Sequence, residues 1–197
     1  MVLRNITEND LDSIVRIHLQ SFEGFFLTSL GPNFINSYYK AAITDSSTLS
    51  VCILVDNNII GFATGTTLPK GYHKRIFLSN PLAFSFSLFR KIIIPSVFFR
   101  LIKNANKKSQ DTSIKQVELL SLAVSKEFKG RNYGVRILEE FEKLAISKGC
   151  LRITLTTDVN ENDSVIKFYN KNGYQKIFKF ITYPNREMYR MSKDFQL

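Results

Sequence analysis

The chain has 197 residues, a length that fits one full-sized domain and hardly two. Apolar residues make up 44% of it and aromatic residues 13%, a composition that excludes a disordered or collagen-like chain. With 27 Lys and Arg against 17 Asp and Glu, the formal net charge is +10, which indicates either an anionic partner or a solvated basic surface.

The two cysteines, Cys52 and Cys150, lie in apolar runs far apart in the sequence, and neither has a Cys or His at the spacing of a metal site. The sequence therefore predicts no disulfide and no metal. Its start turns polar and acidic where a secretory signal would continue as an apolar run, and no apolar stretch approaches the roughly 18 residues of a spanning helix. We expect a cytoplasmic protein.

The first part of the chain predicts a strand, two helices and a hairpin. The strand is 2–6, and the helices are 11–22 and 34–42. Apolar positions of the first helix recur at steps of three and four residues, which places His18 on its buried face. Two apolar runs, 49–55 and 59–66, then flank a turn-forming Asp-Asn-Asn sequence and predict a β-hairpin.

Residues 67–114 are predicted to form a basic, apolar insertion. From Asn57 to Gln110 there is no Asp or Glu, whereas nine Lys and Arg fall in this stretch. Its apolar segments have helical spacing and are interrupted at Pro95. The part spanning 84–103 could contact a membrane surface or another subunit, or form a solvated face.

From residue 117 onwards, strands and helices alternate. The predicted strands are 117–124, 150–157, 174–182 and 187–195, and the predicted helices are 130–148 and 162–172. Alternating elements followed by antiparallel strands imply a mixed α/β (α+β) layered fold without internal repeats.

The turn that precedes the helix at 130–148 has the features of an anion site. Gly130 and Gly134 carry no side chain that would block a ligand, and the first amides of a helix have no intrahelical acceptor. Lys129 and Arg131 add positive charge. Taken alone, the two glycines favour an ordinary strand-turn-helix connection.

Two sequence blocks together resemble the GNAT superfamily of N-acetyltransferases. The run Val124-Ser-Lys-Glu-Phe-Lys-Gly-Arg-Asn-Tyr-Gly134 is similar to its acetyl-CoA motif, Arg/Gln-x-x-Gly-x-Gly/Ala after a strand ending in valine. The run Asn162-Asp-Ser-Val-Ile-Lys-Phe-Tyr-Asn-Lys-Asn-Gly-Tyr174 is similar to its Asn-x-x-Ala-x-x-Leu-Tyr-x-x-x-Gly-Phe block. Lys129 replaces the usual Arg or Gln. Asn132 replaces the first glycine, and asparagine tolerates a left-handed backbone best after glycine.

The resemblance implies one GNAT-like domain over 1–197. Its central sheet is expected to be mostly antiparallel and flanked by helices, with the insertion before the fourth main strand. It also implies acetyl-CoA as cosubstrate, with no metal. The implied cofactor-binding residues are Leu122, Ala123 and Val124 for the pantetheine arm, Lys129, Gly130, Arg131, Asn132, Tyr133, Gly134 and Val135 for the pyrophosphate, and Asn162, which is also a candidate helix cap.

Two catalytic residues are candidates. Tyr169 matches the family's tyrosine, whose phenol, with an ordinary pKa of about 10, protonates the leaving thiolate. Outside this motif, a tyrosine on such a helix would be interpreted as a core residue. Glu118 lies where some members carry a basic glutamate, and a two-residue period puts it on one face with Leu120, Leu122 and Val124, where desolvation would make it a stronger base. An exposed carboxylate and proton removal through ordered water are the alternatives.

The acceptor pocket implied by the resemblance lies between the first two helices. Its predicted substrate-binding residues are His18, Phe22, Phe25, Phe26 and Thr28, although a single histidine on an apolar helix face also fits a packed core position. Such an aromatic wall favours a ring or sugar face. With the basic insertion, this predicts acetylation of a small-molecule primary amine, an amino sugar or nucleotide-linked amino sugar. A protein N-acetyltransferase and a non-catalytic binder are the alternatives. We expect no nucleic acid partner, and a homodimer stays open.

Overall fold

The computed structural model describes residues 1–81, 84, 114–182 and 185–195. The segment 84–103, predicted to contact a membrane or a subunit, therefore lies outside the described residues apart from Phe84. The predicted insertion begins with a short helix whose Tyr72 and Ile76 are buried, so its first turns belong to the core. None of the helices described is long and apolar enough to cross a bilayer.

In the described part of the chain, seven strands form one sheet, in the order β1-β2-β3-β4-β5-β7-β6. The strands are β1 (Val2–Arg4), β2 (Thr48–Val55), β3 (Asn58–Thr66), β4 (Gln116–Val124), β5 (Arg152–Asp158), β6 (Gln175–Thr182) and β7 (Arg186–Asp194). All neighbours are antiparallel except β4 and β5, which are parallel. The predicted mixed and mostly antiparallel sheet is confirmed.

Helices cover both faces of this sheet. They are α1 (Leu11–Ser21), α2 (Phe26–Ser29), α3 (Pro32–Thr44), α4 (Tyr72–Ser79), α5 (Tyr133–Ser147) and α6 (Asp163–Lys171). The buried sides of α1, α3 and α4 form one apolar core, and those of α5 and α6 form a second core on the opposite face. The sequence did not predict α2, because four residues are too few for a helical repeat to be visible.

A β-bulge in β4 changes which side chains share a face. Between Thr64 and Gly65 of β3 the register shifts, so that Leu120 of β4 is the extra residue. Leu120 packs against the core of α1 and α3, whereas Leu122 and Val124 pack against that of α5 and α6. The prediction that Glu118 shares a face with Leu122 and Val124 is therefore wrong, since the extra residue shifts the two-residue period.

Two glycines of β3 allow α5 to pack closely on the sheet. A Cβ at Gly61 would lie 2.7 Å from Cδ1 of Ile137, and one at Gly65 would lie 2.6 Å from Cζ of Phe141 and 2.5 Å from the carbonyl oxygen of Glu118. Such separations are far below van der Waals contact, so larger residues at either position would push α5 away. These glycines thus fix the start of α5 beside the end of β4.

Candidate active site

The sheet opens between its two parallel strands. β4 and β5 pair only from Gln116 to Leu119 on β4 and from Arg152 to Leu155 on β5. Beyond these rungs β4 continues beside β3, and β5 continues beside β7. The facing edges from 120 to 124 and from 156 to 158 therefore have no neighbouring strand in the described part of the chain. An extended ligand can pair with the main chain there, and Leu122, Ala123 and Val124 lie on this open edge.

The turn after β4 places two residues in the left-handed region. Gly130 has a φ of 77°, and Asn132, the residue that precedes α5, has a φ of 61°. As predicted, asparagine adopts the backbone conformation that the usual glycine would supply. This conformation turns the chain sharply, so that α5 starts directly beyond the open edge of β4.

Six consecutive main-chain N–H groups in this turn have no acceptor among the described residues. They run from Gly130 to Val135, and the first main-chain bond of α5 is from the Arg136 N–H to the Asn132 carbonyl, at 3.2 Å. The predicted cradle of amides began at Lys129, but the Lys129 N–H already bonds the Lys126 carbonyl at 3.4 Å. A helix start with free amides favours an anion, and the helix dipole adds to this attraction.

Gly134 brings the first turn of α5 close to α6 and to the end of β4. A Cβ there would lie 3.5 Å from the Phe168 ring and 3.8 Å from Cγ2 of Val124, which are ordinary contacts. The position accepts a methyl group, but a longer side chain would extend from the turn that carries the free amides. A large anionic residue is therefore a specific probe of this site.

Tyr169 lies inside the core between α5, α6 and the sheet. Its ring packs in an edge-to-face manner on Phe168 and Tyr174, at centroid distances of 5.1 and 5.4 Å. Burial raises the pKa of the Tyr169 phenol well above its usual value, and the hydroxyl has no hydrogen-bond partner among the residues described. The buried stripe of α6 consists of Ile166 and Tyr169, and Val165 is exposed.

Asn162 stands at the N-cap of α6, but its side chain does not cap the helix. The amide Nδ2 instead donates to Thr157 Oγ1 at 2.6 Å and to the Asp158 carbonyl at 3.1 Å. Asn162 therefore ties the start of α6 to the end of β5, at the mouth of the opening.

Glu118 is held by an arginine from β7. Its Oε1 accepts a hydrogen bond from Arg190 Nη1 at 2.7 Å, and both side chains are largely buried. The predicted apolar surroundings of this carboxylate are therefore wrong. The sequence interpretation relied on apolar neighbours, whereas the structure pairs this carboxylate with a guanidinium.

His18 is buried in a polar chain that reaches β4. Its Nδ1 is 2.7 Å from the Tyr39 hydroxyl, which is in turn 3.5 Å from Ser121 Oγ. Burial lowers the pKa of His18 to about 4, so the ring is neutral at physiological pH. Its Nε2 is buried without a partner among the described residues. The sequence placed His18 on the buried face correctly, but it could not show the link to Ser121.

The predicted aromatic wall is present, and it meets a part of the chain that the sequence did not connect with it. Phe22 packs between His18 and Phe25, with ring centroids 4.7 and 5.5 Å away. The Arg186 guanidinium at the start of β7 lies 4.1 Å from the centroid of the Phe25 ring and also pairs with Asp158 at the end of β5. The segment before α2 and the start of β7 thus touch each other beside the opening.

The two other predicted acceptor residues lie on α2. Phe26 begins this helix and is partly buried. Thr28 has a buried Oγ1 without a partner among the described residues. Among all the residues that the structure describes, no group of three or more His, Cys, Asp or Glu is arranged to hold a metal ion.

Comparisons with known proteins agree with this geometry. The sequence profile of the Acetyltransferase (GNAT) family matches residues 98–174, which include both blocks of the resemblance. No curated protein sequence matches the chain.

Three similar solved structures have the same fold. The PaiA N-acetyltransferase from Thermoplasma acidophilum, in complex with coenzyme A, is 17% identical with a TM-score of 0.56, and the match covers 98% of each chain. The ribosomal-protein-S18-alanine N-acetyltransferase from Escherichia coli is 11% identical with a TM-score of 0.64, over 100% of this chain and 94% of that one. An aminoglycoside 6'-acetyltransferase type Ii is 14% identical with a TM-score of 0.65, over 98% and 97%.

The family profile spans the strand, the turn and the two helices that line the opening, and the structural matches extend the same fold over nearly the whole chain. The segment 98–174 therefore matches the Acetyltransferase (GNAT) family, and the chain has the fold of these acetyltransferase structures.

Proposed function

We propose that this protein transfers an acetyl group from acetyl-CoA to a primary amine of a small molecule in the cytoplasm, with an amino sugar or a nucleotide-linked amino sugar as the acceptor. The observation that carries the proposal is the open edge of β4, which leads directly to the six free amides at the start of α5. One ligand with an extended arm and a diphosphate fits both features. The PaiA neighbour is in complex with coenzyme A.

The main chain does most of the cofactor binding in this proposal. Leu122, Ala123 and Val124 pair with the pantetheine arm, as a further strand would. The amides from Gly130 to Val135 bind the pyrophosphate, and the side chains of Lys129 and Arg131 add charge next to it. Arg131 already lies over the Phe128 ring, with its guanidinium carbon 5.6 Å from the centroid.

Tyr169 stabilises the departing thiolate. The raised pKa of its buried phenol keeps the proton on the oxygen at any physiological pH. An ordinary thiol has a pKa of about 8.5, so complete transfer of the proton from this phenol to the thiolate would be uphill. We therefore assign Tyr169 the role of a hydrogen-bond donor. Its O–H group stabilises the negative charge that develops on sulfur, without complete transfer of the proton.

The amine loses its proton on the opposite side of the opening. Glu118 is the acid-base candidate, and we propose that it acts through ordered water, because Arg190 already occupies one of its oxygens. Direct transfer in a ternary complex fits the two cysteines, since burial raises the pKa of Cys52 to about 11 and also raises that of Cys150. Neither thiol has the thiolate character that an acyl-cysteine intermediate requires.

The contact between Phe25 and Arg186 favours a small acceptor. An extended peptide needs an open groove between the segment before α2 and the start of β7, whereas these two segments meet with 4.1 Å between guanidinium carbon and ring centroid. The aromatic rings of Phe22, Phe25 and Phe26 suit the flat face of a sugar ring. Protein N-acetylation is the second candidate, supported by the fold shared with the ribosomal-protein-S18-alanine enzyme.

A competition assay tests the proposal. Purified protein is incubated with acetyl-CoA and an equimolar mixture of amino sugars, their nucleotide-linked forms, diamines and peptides with free N-termini, and the products are identified by mass spectrometry. We expect acetylated amino sugar. Acetylation of peptides alone would contradict the small-molecule acceptor, and no acetylation together with no calorimetric binding of acetyl-CoA would contradict the cofactor site as well.

A further inference from the structure

A cavity of about 560 Å³ lies on the part of the sheet formed by β5, β7 and β6. Its described lining includes residues at the strand ends that lie away from the opening: Gln116 begins β4, Arg152 begins β5, and Asp194 ends β7. No residue assigned above to acetyl-CoA or to the acceptor lines it. The cavity is therefore separate from the opening between β4 and β5.

Two buried polar atoms of this lining have no partner among the residues described. They are Nε of Arg190 and Oγ1 of Thr154, and their residues are 7% and 3% exposed. Both side chains line the same cavity, from neighbouring strands. A buried donor without an acceptor is unfavourable, so two of them around one cavity indicate a ligand that supplies the missing acceptor atoms.

The Nε and Nη2 groups of the Arg190 guanidinium, which together can bind a carboxylate, are not used by the described residues. Its Nη1 donates to Glu118 Oε1 at 2.7 Å, and neither Nε nor Nη2 bonds a described residue. Two other arginines of this chain use the same Nε and Nη2 edge to bind a carboxylate: Arg152 binds Asp194, and Arg186 binds Asp158. The edge that holds a carboxylate twice elsewhere is thus available at Arg190, a residue that lines the cavity.

We propose that this cavity binds a small carboxylate ligand. The Nε–H and Nη2–H groups of Arg190 donate to its two oxygens, and the Thr154 hydroxyl donates to one of them. The three cations of the lining, Arg152, Arg190 and Lys193, already face Asp194, Glu118 and Glu142. Because these charges balance, the cavity favours a carboxylate monoanion over a phosphate dianion. The proposal does not depend on the acetyl transfer described above.

The test is an NMR titration of the arginine Nε–H signals in the ¹⁵N-labelled full chain. Sodium acetate is the probe, and sodium phosphate and sodium chloride at equal ionic strength are the comparisons. Arg190→Lys keeps the charge and identifies the Arg190 signal by its loss. We expect a saturable shift of this signal with acetate, a weaker response to phosphate and none that saturates with chloride.

Two matched valine variants test the geometry. Thr154→Val keeps the shape of the side chain and removes the hydroxyl, and it should weaken acetate binding about tenfold or more, as the loss of one charge-assisted hydrogen bond does. Thr156→Val, two residues along the same strand and outside the described lining, should leave the affinity unchanged. The proposal is overturned by a non-saturable shift in the unmodified protein, by tighter binding of phosphate than of acetate, or by equal affinities in Thr154→Val and the unmodified protein.

Discussion

The two sides of the opening between β4 and β5 are built from different parts of the chain. On the cofactor side, free main-chain groups follow one another in a short stretch that ends at Val135. On the acceptor side, side chains from distant positions meet: Phe25 touches Arg186, and His18 reaches Ser121 through Tyr39. One side depends on local backbone conformation, and the other depends on tertiary packing.

This difference explains why a sequence reveals one side more readily than the other. A left-handed backbone needs glycine or asparagine at fixed positions, and here Gly130 and Asn132 occupy them. The acceptor side needs only that some aromatic or polar residue reaches the right place from a remote segment, which leaves no spacing to recognise. The same fold can therefore keep its cofactor motif while its acceptor contacts change.

The largest effect is expected from Gly134→Glu. A carboxylate at the first turn of α5 would place negative charge and bulk beside the free amides that are proposed to bind the pyrophosphate. We expect the affinity for acetyl-CoA to fall by about 100-fold or more, which corresponds to roughly 3 kcal/mol. Calorimetric titration with acetyl-CoA measures it.

Gly134→Ala is the matched control. Its Cβ would make only ordinary contacts, 3.5 Å from Phe168 and 3.8 Å from Val124, so binding should stay within a few-fold of the unmodified protein. Equal affinities for acetyl-CoA in Gly134→Glu and Gly134→Ala would place the pyrophosphate elsewhere. They would contradict the proposed binding of the cofactor by main-chain amides.

On the acceptor side, the next largest effect is expected in the pH dependence of the free energy of unfolding. The pKa of His18 is lowered to about 4 by burial, against about 6.5 in an unfolded chain, so the unfolded state binds the proton more tightly. Stability contributed by the neutral ring is present above pH 6.5 and is lost as the pH falls to 4. The loss amounts to about 3 kcal/mol when the full shift is counted.

Urea unfolding at several pH values between 7 and 4 measures this contribution. In His18→Gln, the decrease in the free energy of unfolding should be smaller than in the unmodified protein. His73→Gln, which changes the second of the two histidines, should keep the full decrease. If both variants show the decrease of the unmodified protein, His18 is not the group that titrates.

The sequence predicted the order of the elements, the open helix start and the left-handed Asn132, because each follows from local patterns. It assigned Leu122 and Val124 to the wrong face of the sheet, because the alternation of side chains along a strand does not reveal a β-bulge. It also missed Arg190, whose pairing with Glu118 joins positions 72 residues apart. This long-range pair is set by the register of β4, β5 and β7, which hydrophobic spacing does not encode.

A smaller effect is expected at the reaction step. Tyr169→Phe keeps the ring in its core position against Phe168 and Tyr174 and removes only the hydroxyl, which has no partner among the residues described. Turnover should fall about tenfold or more, in keeping with the loss of one donor to the thiolate, while the affinity for acetyl-CoA stays unchanged. Steady-state kinetics and calorimetry separate the two. Unchanged turnover would assign the donor elsewhere.

The smallest effects are expected from removing one aromatic ring on each side of the opening. Phe25→Ala removes the ring under Arg186, and Phe128→Ala removes the ring under Arg131. Each contact is worth about 0.5 to 1 kcal/mol, which corresponds to a two- to fivefold change in KM. We expect Phe25→Ala to raise the KM of the amine only, and Phe128→Ala to raise that of acetyl-CoA only.

Phe25→Tyr keeps the ring and should restore the KM of the amine, which separates the cation-π contact from a general loosening of the segment before α2. If both alanine variants raise the two KM values together, then the sides are coupled through the opening. In that case the main chain of β4, which borders both, transmits the change, and the cofactor and acceptor sides are not independent parts.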